Sequence, residues 1–231
     1  MAHVSAAERR PQLIRAAIAV MSRDGVAAAS TRAIAAELGI AQATVHYVYG
    51  AKDELYRAVI EQLTTDIAEQ VRGIDIPTEP DFQATIGAYA RQLWRTVVEQ
   101  PHVHRLITEL FVMGLRSPSL RPTVTDYQRQ LDIVFEDAFR EAAAYTGTTL
   151  ARPVEEVARF FFAGFDGLIL HRLARPDDMA DERSLEQIVA ATAALAEGHL
   201  PSRSCDAGNR RSPAPRRQTP GCPQVSASAA K

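Results

Sequence analysis

The stretch 31–55, TRAIAAELGIAQATVHYVYGAKDEL, constrains the fold most, because it reads as two short helices, a tight glycine turn between them and the start of a third helix. In the first piece, 31–38, Ile34, Ala35 and Leu38 share one helical face, and Ser30 or Thr31 can cap its start. Gly39 ends it, since glycine takes the left-handed conformation without side-chain cost and redirects the chain. The second piece, 42–49, sets Val45, Val48 and Tyr49 at i, i+3 and i+4, which makes an inward face. Ala43, His46 and Tyr47 lie opposite, with Gln42 and Thr44 on the flanks. Eight residues bury too little to hold a helix alone, so neighbours must brace it. Its outward face is small, aromatic and hydrogen-bonding rather than charged. Such a face fits a DNA major groove, where amide, hydroxyl and imidazole groups meet base edges and a small residue permits close approach.

The remaining periodicities are helical as well, and no segment alternates like a strand. Ser5-Ala6-Ala7-Glu8 reads as a capping box opening a first helix with Ile14, Ala17, Ile18 and Met21 as its buried stripe, ending at Asp24-Gly25. A fourth helix starts near Lys52, carries Leu55, Val59, Leu63 and Ile67 at four-residue steps and ends at Gly73. The proline-punctuated segment 74–80 is the best domain boundary. Beyond it come a helix with Phe82, Ile86, Tyr89, Leu93 and Val97 inward, one from Pro101 through about Met113, and a long one from about Val124 to Gly147. Residues 153–175 are apolar almost all round, so that helix needs partners on more than one side. Gly164 and Gly167 permit another helix to approach it closely. A final helix, capped by Ser184 with Gln187 three residues on, offers Leu185, Ile188, Val189, Thr192 and Leu195. These two helices suit a four-helix interface with a second copy.

The expected architecture is therefore all-α, about nine helices: a three-helix helix-turn-helix DNA-binding domain (1–51), a connecting helix (52–73), a helical C-terminal domain suited to dimerisation (74–200), to which the family resemblance described below adds ligand binding, and a disordered basic tail (201–231). The tail contains both cysteines, Cys205 and Cys222, which predicts a reducing compartment and neither a disulfide framework nor a clustered zinc site. Glu8, Arg9, Arg10 and Pro11 stand where a signal peptide would be apolar, and the run around Phe160–Leu170 is too short to span a membrane. A cytoplasmic protein without membrane attachment is expected. Net charge is −2, yet it is unevenly spread. Residues 1–50 hold five arginines against three acids, 201–231 hold six basic side chains against one acid, and the middle carries the deficit. A mildly positive end can then meet phosphate while the body is repelled from it.

On the Thr31-Arg32 opening, Gly39-Ile40 in the turn, Thr44-Val45-His46-Tyr47 in the second helix and Gly50-Ala51-Lys52-Asp53-Glu54-Leu55 beyond it, the first 72 residues or so resemble the TetR family of tetracycline-repressor-like transcription factors. Two departures stand out: Ala41 replaces a frequent capping serine, and His46 stands where tyrosine is more usual. The resemblance implies a homodimeric regulator, most simply a repressor of a palindromic operator, with double-stranded DNA, a second copy of itself and an unidentified small-molecule effector as partners. Dimerisation through the last two long helices follows from it, with Phe165, Leu168, Ile188, Thr192 and Leu195 as interface candidates. So does an effector pocket in the C-terminal body, for which Trp94, His104, Met113, Tyr127, Phe161 and Phe162 are candidates among aromatics that otherwise read as plain core.

The DNA contacts expected are Arg32 to a guanine edge or phosphate, Gln42, Thr44 and His46 to base edges or nearby phosphate, and Ala43 as apolar clearance. Tyr47 and Lys52 are expected on phosphate. No cofactor is implied, and His102 and His104, two residues apart on different sides of a helix, make a poor metal pair. Asp166 amid phenylalanines suits a cationic ligand, a buried polar network, an intersubunit hydrogen bond or a polar helix edge. Two other classes remain at this stage. A helical protein-interaction module that does not read an operator would share these periodicities, and an all-α enzyme would need a nucleophile, metal cluster or nucleotide signature of which none is present.

Overall fold

A computed structural model describes residues 5–74 and 81–200. Within them the chain is helical throughout: α1 (Ala6–Asp24), a 3-10 turn (Val26–Ala28), α2 (Thr31–Glu37), α3 (Gln42–Tyr49), α4 (Lys52–Arg72), α5 (Phe82–Glu99), α6 (Pro101–Arg116), α7 (Arg121–Thr146), α8 (Val154–Ala174) and α9 (Asp178–Ala196). Most of the proline-rich boundary segment and the whole basic tail expected from the sequence lie outside the described residues.

Local chemistry accounts for where the helices start. The Ser5 hydroxyl accepts from Glu8 N at 3.3 Å while the Glu8 carboxylate accepts from Ser5 N at 2.9 Å, the reciprocal capping box expected for α1. Ser30, not Thr31, caps α2, accepting from Ala33 N at 3.1 Å. Gly39 takes φ +63 in the turn between α2 and α3, the left-handed conformation that the break demands. The start of α9 corrects the expectation at Ser184. That helix begins at Asp178, with Asp177 accepting from Ala180 N at 3.1 Å, and Ser184 lies inside it. An aspartate at the cap and acids in the first turn complement the helix dipole, and Arg172 at the end of α8 ties the same turn down by reaching Asp178 at 2.5 Å and Asp181 at 2.9 Å.

Two hydrophobic cores result. One joins Leu13, Ala17, Val20 and Met21 of α1 with Ile34, Val45, Tyr49 and the first turns of α4. Leu106 and Leu110 of α6 and Leu120 and Val124 at the entry to α7 complete it, residues that the sequence assigns to the C-terminal body. The other gathers Ala68 and Val71 of α4 with α5, most of α7, α8 and α9 around Phe82, Phe135, Phe139, Phe161 and Phe165. Phe161 is fully buried, with rings of Phe135, Phe139 and Phe165 centred 5.4–5.8 Å away. Helix α4 thus contributes to both cores, as does α7, so displacement at one end of either helix is felt in the other core.

Gly114 of α6 sits so close to α7 that an added Cβ would collide with Val124 Cγ1. Gly164 lets α9 approach, since its Cβ would meet Ile188 at 3.2 Å, whereas Gly167 faces open space. No helix of the described residues is long and apolar enough to cross a membrane.

Candidate nucleic-acid interface and central cavity

Helix α3 is held from behind by Val45 and Tyr49, both buried, so its other side is presented outward. The Tyr49 hydroxyl donates to Arg10 O at 3.2 Å and the Arg10 guanidinium lies 4.9 Å above the Tyr49 ring, fixing α3 against α1. Arg32, Gln42, Ala43, His46, Tyr47 and Lys52 are all exposed, and Thr44 is half-buried. Tyr47 is 82% exposed, so its ring and hydroxyl are open to a partner. Lys52 Nζ sits 5.1 Å over the Tyr56 ring, and the Tyr56 hydroxyl donates to Val26 O at 3.2 Å. Gln42, Ala43, His46 and Tyr47 therefore share the outward side of α3, and Thr31 of α2 meets it through Gln42 and His46.

Polar groups on that face are already organised. Gln42 Nε2 donates to Thr31 Oγ1 at 3.0 Å, and His46 Nε2 lies 3.4 Å from that hydroxyl and 3.5 Å from the Gln42 amide. Thr31 was not expected as a site residue. Only the fold brings it across from α2, and its hydroxyl holds the Gln42 amide so that the amide oxygen can accept from a base edge. Ala41, at the N-cap of α3, has extended φ and ψ of −70 and 137 but no side-chain bond to the helix amides. Arg23, by contrast, is spent within the domain, paired with Asp24 at 3.1 Å and Glu37 at 3.2 Å.

In the C-terminal body a cavity of about 570 Å³, counting its open mouth, lies between five helices. Ile67, Gln70 and Val71 of α4, Leu93 and Thr96 of α5, and His104, Ile107 and Thr108 of α6 line it. Tyr127, Leu131 and Phe135 of α7 and Phe162, Phe165, Asp166 and Ile169 of α8 complete the wall. Of the pocket candidates read from the sequence, His104, Tyr127 and Phe162 are there. Trp94, Met113 and Phe161 are not. Trp94 stands behind Phe165, edge to face at 5.9 Å, Met113 packs against the N-terminal core, and Phe161 is enclosed by other rings.

Burial, reinforced by His102, pulls His104 down to about 4, so its imidazole is neutral at neutral pH. Burial also pushes the Tyr127 hydroxyl up, and Asp166 adds to that. Asp166 is exposed, and the partial desolvation that the cavity wall imposes, with Asp132 nearby, raises it to about 6. Sequence reasoning missed Gln70, Thr96 and Thr108, polar residues among others on their helices with nothing local to mark them.

The dimer candidates need correction. Phe165, Leu168 and Thr192 are 4%, 6% and 0% exposed within a single copy, so they have no surface left to bury against a second. Ile188 and Leu195 are half-buried. The surface that α8 leaves open carries Phe160 (44% exposed) and Leu170 (51% exposed) with Ala163 and Gly167 between them. An all-apolar helix does not reveal which side its own chain covers: α9 packs on the Gly164 side, and Phe165 is covered by Trp94 of α5 beside the cavity.

Helix α6 and the connection to α7 are bonded to the N-terminal helices. Glu109, one residue beyond the cavity-lining Thr108, accepts from Val26 N at 3.3 Å in the turn before α2. At the start of α4, Asp53 accepts from Ser119 Oγ at 2.5 Å, and Arg57 donates to Ser119 O at 3.4 Å. Among the described residues no cluster of three or more histidine, cysteine or acidic side chains forms a metal site.

Residues 13–59 match the model of bacterial regulatory proteins of the tetR family, and residues 80–197 match that of the tetracyclin repressor-like C-terminal domain. The chain is 29% identical over 192 residues to the nicotine-responsive transcriptional repressor HdnoR of Paenarthrobacter nicotinovorans, covering 81% of this chain and 95% of that one. Among solved structures, a transcriptional regulator from Rhodococcus sp. Rha1 superposes with a TM-score of 0.66 at 19% identity, over 81% of this chain and 97% of the other. The multidrug binding protein EbrR in complex with proflavin superposes with a TM-score of 0.58 at 27% identity, over 80% and 99%.

Proposed function

Because the chain belongs to the tetR family of bacterial regulatory proteins, we propose that it acts as a homodimeric transcriptional repressor that leaves its operator when a small molecule enters the central cavity. That it is a DNA-binding transcriptional regulator follows from its family, and the proposal concerns how this chain does it. The observation that carries the proposal is the outward face of α3. Gln42, Ala43, His46 and Tyr47 stand exposed on a helix whose back is locked into the core, and Arg32 and Lys52 are exposed as well. Gln42, Thr44 and His46 read base edges, Ala43 gives clearance, and Arg32, Tyr47 and Lys52 hold phosphate.

Two copies pair through the Phe160, Ala163, Gly167 and Leu170 face of α8 together with Ile188 and Leu195 of α9, placing two recognition helices on a two-fold axis to read two half-sites. The resemblance to HdnoR and EbrR supports a small-molecule effector, and the cavity's position supports its route of action. A ligand that spreads α6 from α4 moves Glu109 against Val26 and Asp53 against Ser119, and so tilts α3. It weakens DNA binding only to the extent that it prefers the tilted state. The protein works in the cytoplasm, where the DNA is, and no catalytic step is assigned to it.

A gel-shift assay with the DNA flanking its own coding region tests this. Lys52→Ala weakens binding to all sequences and lowers the salt slope by about 1, whereas Gln42→Ala changes base preference. Identical effects of both variants on operator and random DNA overturn the division of contacts. Gly167→Glu yields a monomer in sedimentation if the α8 face pairs, and a dimer that survives it overturns that interface.

A further inference from the structure

What an exposed recognition helix can offer a base depends on which of its hydrogen-bonding atoms the protein itself occupies, and Gln42 at the start of α3 is the sharpest case. Its Nε2 donates to Thr31 Oγ1 at 3.0 Å and lies 3.5 Å from Nε2 of His46, one turn further along the same helix. The Thr31 hydroxyl in turn lies 3.4 Å from that imidazole nitrogen. An amide nitrogen carries two hydrogens and can only donate, so the threonine oxygen takes one hydrogen and the imidazole nitrogen receives the other. His46 Nε2 must then carry no hydrogen of its own, which puts the ring hydrogen of the neutral imidazole on Nδ1 and lets Thr31 donate its hydroxyl hydrogen to Nε2. Thr31, Gln42 and His46 thus form a triangle in which each donor has an acceptor.

The consequence falls on the other end of the Gln42 amide. With both hydrogens turned onto protein, it presents only Oε1 to a ligand. A free glutamine reads adenine with both ends, accepting from N6 and donating to N7. Here the donor half of that fork is occupied, and releasing it to reach N7 gives up bonds to two side chains for one to the base. What remains is a lone acceptor. In the major groove the groups that donate to a lone acceptor are the exocyclic amines, adenine N6 and cytosine N4, whereas guanine and thymine turn acceptors toward the same space. Ala43, exposed beside Gln42, has no polar side-chain atom to supply the missing donor.

We propose that Gln42 reads an amine-bearing base, adenine or cytosine, through its oxygen alone, with Thr31 and His46 as the positioning residues that withhold its nitrogen. The proposal rests on α3 being the operator-reading helix, and it names what this position of the helix accepts.

Selection of randomised duplexes by the full-length protein, followed by gel shifts on the selected duplex, tests it. Each half-site is expected to hold one position at which adenine and cytosine are enriched together over guanine and thymine, a preference that Gln42→Ala removes. At that position purine, which is adenine without its N6 amine, is expected to weaken binding by about tenfold or more, because the Gln42 oxygen is left unpaired. In contrast, 7-deazaadenine, which lacks only N7, is expected to leave affinity within about twofold. Thr31→Val deletes the hydroxyl that holds the nitrogen, so binding becomes sensitive to 7-deazaadenine and favours adenine over cytosine. Mere loosening of α2 lowers affinity without changing which base atom is read. A folded Thr31→Val protein that still ignores N7 overturns the role of Thr31. Wild-type protein that loses affinity on 7-deazaadenine as it does on purine, or that selects adenine alone, guanine or thymine at the Gln42-dependent position, overturns the proposal, and these comparisons stand even if Thr31→Val does not fold. A selected palindrome indifferent to Gln42→Ala also overturns it, while the operator reading survives. If no sequence is selected, the operator reading fails and this proposal with it.

Discussion

Ala41→Ser is expected to stabilise this protein. Ala41 occupies the N-cap of the recognition helix with φ −70 and ψ 137, close to the extended geometry of Ser30 at the N-cap of α2, φ −81 and ψ 155. At Ser30 the hydroxyl accepts from the amide three residues on at 3.1 Å; at Ala41 the corresponding amide, Thr44 N, has only the backbone oxygen of Ala41 at 3.0 Å. A serine at position 41 therefore finds its backbone already in place and an amide within reach. Replacing alanine by serine at such a cap is worth about 1 kcal/mol, within a range of about 0.5–2 kcal/mol. For a body of this size that raises the melting temperature by about 2–4 °C. Ser30→Ala is expected to lose a similar amount, which supplies an internal calibration in the same motif. Urea and thermal melts measure both, and hydrogen exchange of the Thr44 and Val45 amides localises the gain, slowing by about fivefold if opening of α3 is what the cap opposes. If Ser30→Ala destabilises while Ala41→Ser changes neither melting nor exchange, then α3 is held by Val45 and Tyr49 alone and its end is not a weak point.

Three further outcomes test the packing and the electrostatics. Gly114→Ala is expected to destabilise by about 1–3 kcal/mol in urea melts because its Cβ collides with Val124; the ordinary helix preference for alanine over glycine would give a gain of about 1 kcal/mol instead, so the sign decides. Arg172→Ala is expected to cost about 3 kcal/mol, since it strands the buried Asp181 carboxylate without its partner. pH dependence separates two groups in the cavity wall. The unfolded chain protonates His104 near 6.5 but the native chain only near 4, so His104 makes stability rise with pH across that window. Asp166 does the opposite: the native chain keeps to about 6 a proton that the unfolded chain gives up near 3.8, so stability falls as pH rises between those values. Between about pH 4 and 6 the two oppose each other, and melts of His104→Gln should slope downward with pH where those of Asp166→Asn slope upward. Parallel slopes in the two variants would contradict these environments.

Much of the N-terminal region is legible in the sequence. Gly39 and the i, i+3, i+4 pattern of Val45, Val48 and Tyr49 place α3 at 42–49, and the same pattern assigns its outward face. Those are local properties: helical periodicity, capping and the left-handed freedom of glycine act within a few residues, so a linear sequence displays them. The C-terminal body was legible as helices and not as surfaces. In α8 nearly every position is apolar, so periodicity cannot say that Phe165 and Leu168 are covered by the same chain while Phe160 and Leu170 are left open. The misplaced cap at Ser184 has a related cause, because Arg172 reaching Asp181 from another helix steadies a start at Asp178.

An all-helical chain, a helix-turn-helix at 31–49 and the residues that its second helix turns outward are written in the linear sequence, because each depends on neighbours along the backbone. Tertiary packing is what sets Thr31 against Gln42, brings α6 into the N-terminal core and makes Asp166 line a cavity with Phe162 and Tyr127. Those facts depend on which helix face meets which, and on how five helices leave space between them. Contacts between residues far apart in the chain set both, and no local pattern records them.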